Sequence, residues 1–140
     1  MADYSLKDIG VFCRQEMELF KSRQLILLEG DLGAGKTTFI QKCLQIYGIH
    51  GAESPTFSII NHYDGCPQVY HVDLYRLEEA HDIESTGFWD LFDQEAAVIF
   101  VEWSNRVPDR QWPSAWSPRK WTIAPSLKGS EYRQIESFPL

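Results

Sequence analysis

A glycine-rich segment directly after an apolar run constrains the fold more than any other part of this sequence. The run is LILLE, residues 25–29, and the segment that follows it, GDLGAGKT, fits the pattern G-x-x-x-x-G-K-[ST] of a phosphate-binding loop. Such a loop joins a buried strand to a helix, and its backbone N–H groups surround phosphate oxygens. The segment therefore predicts an α/β fold with a strand over residues 25–29 and a helix over about residues 36–47.

The loop also assigns roles to individual residues. The ammonium group of Lys36 is expected to reach the β- and γ-phosphates, where it is also a catalytic candidate, and the Thr37 hydroxyl is expected to bind Mg²⁺. Glu29 is expected to point away from the phosphates. Two interpretations of Trp103 stay open, stacking on a base or a partner and packing in the core. The other residues predicted to bind the nucleotide are Gly30, Asp31, Gly33, Ala34, Gly35 and Thr38.

Two further candidates for the metal site lie outside the loop. Glu102 follows the apolar run AAVIFV, and an acid at the end of a hydrophobic strand commonly holds Mg²⁺ in nucleoside triphosphate sites. We therefore favour a metal ligand at Glu102 over a solvated strand end. Thr56, in the segment SPT, is predicted to be a metal ligand on a loop that senses the γ-phosphate, and a plain loop role is the alternative.

Asp73, in the segment YHVDLYR, is a second acid with a candidate role. As a catalytic residue it would bind Mg²⁺ through water or orient the attacking water, and as a structural residue it would pair with Arg76. His71 precedes it by two positions, so both side chains would face the same side of a strand. A single histidine in such a position is more typical of a structural residue than of a catalytic one.

Composition limits the classes of function. The chain has 140 residues, the usual size of one domain, and we interpret residues 1–140 as a single phosphate-loop domain. A formal net charge of −7 argues against broad binding of nucleic acid, which needs a basic surface. The segment MADYSLKDIG lacks the character of a signal peptide, and no apolar stretch is long enough to span a membrane. We therefore expect a cytoplasmic protein without membrane contact.

The cysteines are odd in number and far apart in the sequence. Cys13, Cys43 and Cys66 form no C-x-x-C pair, so the pattern suggests neither a zinc site nor a disulfide framework. Cys13 and Cys43 lie on apolar helical faces and are predicted to be small core residues.

Apolar periodicity and turn residues predict the other elements. SLKD, residues 5–8, is typical of a capping box that opens a helix. Residues 57–63 and 68–75, separated by DGCP, predict an antiparallel hairpin. Residues 105–120 contain three prolines and are interpreted as a surface excursion before two closing strands. Together these elements predict an α/β/α sandwich with a mixed central sheet.

Several of these segments occur in an order and spacing that closely resemble the TsaE family, formerly called YjeE. The segments are GDLGAGKTTF, SPTFSIINHY, YHVDLYRL, GFWDLF and VIFVEW. The resemblance runs from about the first helix to Trp103, and the ordered set is more specific than any single motif. After Trp103 the sequence matches the family little beyond the two closing strands.

The resemblance implies a P-loop NTPase-like fold that binds ATP and Mg²⁺ and hydrolyses ATP slowly. It implies that Gly33–Thr38 hold the phosphates, that Thr37 and Glu102 hold Mg²⁺, and that Asp73 supports hydrolysis. Thr56 would belong to a nucleotide-sensing loop.

The same resemblance implies partners. These are the TsaB and TsaD proteins, which form the enzyme that makes threonylcarbamoyladenosine in tRNA. The chain would bind this pair and reset it between rounds without transferring the threonylcarbamoyl group, so that it would meet tRNA indirectly. The N-terminal segment near Ser5 would contact the adenine.

Three other functions use the same loop. A small-molecule kinase commonly needs a lid with several arginines, and residues 77–93 contain none. A GTPase switch commonly selects guanine through N-K-x-D, and NRVPD at residues 105–109 is not this element. A nucleotide-sensing module with negligible turnover would keep Lys36, Thr37 and Glu102, so the residues alone do not exclude it.

Overall fold

Seven strands form one mixed sheet in the computed structural model, which describes residues 2–31, 33 and 35–140. The strands are β1 (Ala2–Ser5), β2 (Arg23–Glu29), β3 (Ile60–Tyr63), β4 (Val69–Asp73), β5 (Ala97–Glu102), β6 (Arg119–Pro125) and β7 (Tyr132–Pro139). The α-helices are α1 (Ile9–Met17), α2 (Lys36–Ile46) and α3 (Ala80–Ser85). Four short 3₁₀ helices cover Phe88–Asp93, Ser104–Arg106, Asp109–Gln111 and Ser114–Trp116.

The strand order is β1-β7-β6-β2-β5-β4-β3, which places the strand before the phosphate-binding loop in the middle. The four central strands β6, β2, β5 and β4 run parallel, and the outer pairs β1–β7, β6–β7 and β3–β4 are antiparallel. The predicted hairpin of β3 and β4 is therefore confirmed. Since the central strands are parallel, their carboxyl ends meet at one edge of the sheet.

Each face of the sheet has its own apolar core. Helices α1 and α2 cover one face, where Phe12, Phe39 and Trp121 pack edge to face at centroid distances of 5.1 to 5.5 Å. The other core contains Ile83 of α3 and Phe88 of the first 3₁₀ helix. This arrangement of two helical layers around a mixed sheet confirms the predicted α/β sandwich.

The segment before the closing strands differs from the prediction. Residues 105–120 are not a surface excursion, because Trp112 and Trp116 are 5% and 1% exposed. Both rings pack against Phe92, and the indole N–H of Trp116 donates to the Phe92 carbonyl at 3.1 Å. The prolines of this segment separate short 3₁₀ helices that place the tryptophans on the sheet.

Two element boundaries also differ from the prediction. Ser5 ends β1, where it pairs with Tyr132, so α1 begins only at Ile9. The backbone N–H of Asp8 does donate to the Ser5 hydroxyl at 3.2 Å, so the capping contact forms just before the helix. In the hairpin, β3 begins at Ile60 because the chain turns at Ile59, whose φ is 70°.

The cysteines correct a further prediction. Cys13 of α1 and Cys43 of α2 are core residues, as expected, but they form a disulfide with Cα atoms 5.5 Å apart. Their separation of 30 positions gave no sign of the bond, because it depends on how the two helices pack. Cys66 is a free, exposed thiol. No helix in the described ranges combines the length and apolar character required to cross a membrane.

Candidate functional site

A cavity of about 300 Å³ opens where the carboxyl ends of β2, β4 and β5 meet. In an α/β sheet, ligands bind at this edge, beside the loops that follow the strands. Its lining includes residues of the phosphate-binding loop and the two distant acids predicted from the sequence, Asp73 and Glu102. The lining residues are Asp31, Gly33, Gly35, Lys36, Thr37, Thr38, Thr56, Asp73, Tyr75, Glu102 and Trp103.

Two glycines of the phosphate-binding loop line the cavity with left-handed backbone conformations. Gly33 and Gly35 have φ values of 82° and 91°, a conformation that residues with a side chain rarely adopt. Helix α2 starts immediately after Gly35, so its first N–H groups and its positive dipole end lie at the cavity. Ala34, also predicted to bind the nucleotide, lies outside the described residues. The loop geometry is suited to an anion with several oxygens.

Lys36 is folded back onto the loop. Its ammonium group donates to the carbonyl oxygens of Gly30 and of Asp31, the latter at 3.3 Å. The same nitrogen lies 4.2 Å from the centroid of the Trp103 ring. Trp103 packs against the core and also lines the cavity, so core packing is part of its environment, and stacking on a base stays a prediction. The lysine is thus held at the cavity wall by two carbonyls and a ring.

Glu102 connects the loop to the distant strand end. The Thr37 hydroxyl donates to its carboxylate at 3.0 and 3.1 Å, although 65 positions separate the two residues. His71 Nε2 lies 2.7 Å from Oε2 of the same carboxylate. Glu102 is 2% exposed, so its carboxylate is held in place by partners rather than by water.

Asp73 is held beside Glu102 by the neighbouring strand. It accepts the Thr56 hydroxyl at 3.2 Å and the Tyr75 backbone N–H at 2.9 Å. These two bonds agree with a hydrogen-bonded structural acid, but the described ion pairs do not join Asp73 to Arg76, whose guanidinium lies over the ring of Phe57 at 5.6 Å. Thr56 therefore connects its loop to an acid of the cavity.

Burial sets the electrostatics of this cavity. Removal from water lowers the pKa of Lys36 below its ordinary value of 10.5, while the charges of Glu102, Asp73 and Asp31 act in the opposite direction. Burial also raises the pKa of Asp73 above 3.8, against the hydrogen bond from the Tyr75 N–H. Burial therefore disfavours the charged forms of both Lys36 and Asp73.

The donor atoms at the cavity fit Mg²⁺. The Thr37 hydroxyl and the Glu102 carboxylate offer hard oxygen ligands 3.0 Å apart, the type that Mg²⁺ prefers. Within the part of the chain that the structure describes, no group of three or more His, Cys, Asp and Glu forms a metal cluster.

Two further residues considered in the sequence analysis, Glu29 and Ser5, do not line the cavity. Glu29 points away from α2 and pairs with Lys120 at 3.1 Å, as expected. Ser5 lies in β1 at the edge of the sheet and is absent from the described cavity lining. Arg133 of β7 was not predicted, and a Cβ placed on Gly35 would lie 3.8 Å from its Nε. No sequence signal indicates that contact, because it depends on how the closing strands return beside the loop.

Comparison with known proteins identifies the family. The family model for "Threonylcarbamoyl adenosine biosynthesis protein TsaE" matches residues 5–135. The tRNA threonylcarbamoyladenosine biosynthesis protein TsaE of a Nostoc species is 42% identical over 97 residues, 65% of this chain and 59% of the relative. The Bacillus subtilis protein of the same name is 40% identical over 92 residues, 64% of this chain and 56% of the relative.

A relative from Aquifex aeolicus with this name extends the match. It is 34% identical over 106 residues, which cover 73% of this chain and 74% of the relative. The chain spans a little over half the length of the Nostoc and Bacillus relatives. Since the family model covers nearly all of the chain, the protein belongs to the TsaE family.

Proposed function

We propose that this chain binds ATP with Mg²⁺ and hydrolyses it slowly as the partner of a TsaB–TsaD pair in the cytoplasm. In this role it supports threonylcarbamoyladenosine formation in tRNA without transferring the threonylcarbamoyl group itself. The pathway is supported by the names of the relatives, and the nucleotide by the cavity and its loop.

One observation carries the proposal. The Thr37 hydroxyl at the start of α2 and the Glu102 carboxylate at the end of β5 lie 3.0 Å apart. In phosphate-loop NTPases the loop Ser or Thr and a strand-end acid support Mg²⁺ together. A glycine-rich turn that binds no ligand does not require these two groups to lie next to each other at a cavity.

The remaining residues would act on the nucleotide. Lys36 would exchange its carbonyl and ring contacts for phosphate oxygens, and Gly33, Gly35 and Thr38 would supply backbone N–H groups. Asp73 would orient the attacking water, with Thr56 responding to the γ-phosphate. When bound, Mg²⁺ supplies positive charge that polarises the phosphate oxygens.

The partners are proposed from the resemblance to the family and not from a surface of this chain. A net charge of −7 disfavours tRNA contact as the main source of affinity, so tRNA would be reached through TsaB and TsaD. The chain would then act as an ATP-driven component of a reaction that another protein catalyses.

Phosphate release and tRNA modification test this function together. The purified chain is incubated with ATP and Mg²⁺, alone and with TsaB, TsaD and tRNA, and both phosphate and modified nucleoside are measured. We expect slow release by the chain alone, a change in the rate with the partners, and more modified tRNA per TsaB–TsaD pair. Glu102→Gln should lower Mg²⁺-dependent release by about 10² or more.

Glu29→Gln is the matched control, because Glu29 also ends a buried central strand but pairs with Lys120 on the opposite face. It should release phosphate like the unaltered chain. Release by Glu102→Gln at the unaltered rate would refute the metal role. Phosphate transfer to a small acceptor, with no effect of the partners, would support a kinase instead, and a strong preference for GTP would support a nucleotide switch.

A further inference from the structure

His71 is the most deeply buried polar residue next to the site. It lies in β4, is 0% exposed, and faces the same side as Asp73. Strand β4 pairs with β5 in a register that sets His71 beside Phe100 and Asp73 beside Glu102. This register lets the imidazole reach two positions forward along β5, to the Glu102 carboxylate that ends the strand.

The contact fixes which nitrogen carries a proton. A carboxylate only accepts hydrogen bonds, so Nε2 donates to Glu102 Oε2 across 2.7 Å. The other ring nitrogen, Nδ1, is buried, and the described residues offer it no hydrogen-bond partner. A buried polar atom without a partner destabilises a fold, so an apolar residue of similar size would suit this position better for stability alone.

We propose that His71 is a positioning residue that sets the orientation of the Glu102 carboxylate toward Thr37. The inference rests on the proposed function, because it concerns the metal that Thr37 and Glu102 would hold. The imidazole donates to Oε2, and the carboxylate then lies with Oε1 3.0 Å and Oε2 3.1 Å from the Thr37 hydroxyl. Without this anchor the carboxylate would sample other rotamers, and the two oxygen donors would no longer be arranged in advance.

The experiment measures metal dependence of nucleotide binding rather than turnover. ADP is titrated calorimetrically with excess Mn²⁺ and again in EDTA. The readout is the dissociation constant in EDTA divided by the dissociation constant with Mn²⁺. His71→Leu removes the donor while keeping an apolar residue of similar size. We expect it to reduce this ratio by about 10- to 100-fold and to leave ADP affinity in EDTA unchanged.

Two amide variants separate positioning from packing. His71→Gln can place an N–H near the position of Nε2, whereas the shorter side chain of His71→Asn places it near Nδ1. We expect His71→Gln to keep the ratio within about threefold of the unaltered chain and His71→Asn to resemble His71→Leu. If His71→Leu does not fold, the comparison of His71→Gln with His71→Asn tests the inference instead. Equal ratios for these two variants would overturn it.

Val69→Ala is the structural control, since Val69 is buried on the same face of β4 and touches the core rather than Glu102. It should lower stability and leave the ratio unchanged, and an equal loss of ratio would contradict a specific role for His71. Absence of ADP binding by the unaltered chain would overturn the proposed function as well. ADP binding with the same metal dependence in His71→Leu would overturn only the role of His71.

Discussion

Trp103 shows how much of the site depends on single residues. Its φ of 58° lies in the left-handed region, which is uncommon for a bulky side chain. This backbone turns the ring toward the cavity, where it contacts Tyr75 at 4.9 Å and the Lys36 ammonium at 4.2 Å. Strained conformations of this kind persist where the surrounding contacts hold them, and they concentrate at functional sites.

Asp73 is a residue at which stability and activity should oppose each other. Asp73→Asn keeps an oxygen for the Tyr75 N–H but removes a buried charge, so hydrolysis should fall by about 10²-fold or more. Burial raises the pKa of this carboxyl, so folding favours its protonated form. As pH rises from 3.8 through the folded-state pKa, the unaltered chain therefore loses stability that the variant keeps.

Urea unfolding at pH 7 and at acidic pH measures this difference. We expect Asp73→Asn to be the more stable protein at pH 7, with an advantage that shrinks toward pH 3.8. ADP affinity should change little. A variant that is less stable at pH 7, or that hydrolyses ATP like the unaltered chain, would contradict the assigned role.

Helix α2 is the element that joins the core to the site. Its N-terminal residues line the cavity, while Phe39, Ile40 and Leu44 pack into the core that α1 shares. The disulfide between Cys13 and Cys43 then fixes α2 to α1. Because the site begins where α2 begins, the packing of this helix determines where Lys36 and Thr37 lie.

The disulfide between helices α1 and α2 should stabilise the folded chain. Closing a loop of 30 positions should stabilise the fold by about 3 to 4 kcal/mol relative to the reduced chain. Urea unfolding with and without reductant measures the difference, and Cys13→Ala/Cys43→Ala should not respond to reductant.

Alkylation before and after reduction, followed by mass spectrometry, identifies the bonded thiols. Only Cys66 should react with the alkylating reagent before reduction of the denatured chain. Disulfides are rare in the cytosol, so the same assay on freshly lysed cells reports the state of this pair there. Full labelling of all three cysteines in the purified, oxidised protein would contradict the bond.

The tryptophan-containing segment before β6 should be essential for stability. Trp116→Ala removes a ring that is 1% exposed and its hydrogen bond to Phe92, and should cost about 3 to 5 kcal/mol in the free energy of unfolding. Arg110→Ala, in the exposed part of the same segment, should change it by less than about 0.5 kcal/mol. Equal effects of the two variants would show that the segment does not pack as described.

At the scale of the whole molecule, the sheet order explains why side chains of both charge signs lie together at the cavity. Strand β2 is central, so its loop lies between the ends of β6 and β5, and β4 adds a third strand end. Asp73 and Glu102 therefore lie beside a loop suited to phosphate. Carboxylates repel a polyphosphate unless a cation lies between them, so nucleotide binding should depend on Mg²⁺.

Features that depend on local sequence could be predicted, whereas features that depend on long-range packing could not. Lys36, Thr37, Glu102 and Asp73 follow from local patterns, because strand ends and a glycine-rich loop are visible in a few residues. The Lys36–Trp103 contact, the disulfide and the burial of Trp116 depend on how distant segments pack. Prolines in residues 105–120 indicated irregular backbone correctly, but they carry no information about which side chains reach the core.

Calorimetric titration of the purified chain with ATP and GTP, each with Mg²⁺ and with EDTA, tests the central claim most directly. We predict that ATP with Mg²⁺ binds, that GTP binds more weakly and that EDTA weakens ATP binding. Lys36→Ala should abolish binding, while Lys42→Ala on the same helix should bind like the unaltered chain. Undiminished ATP binding by Lys36→Ala, or tighter binding of GTP than of ATP, would contradict the account.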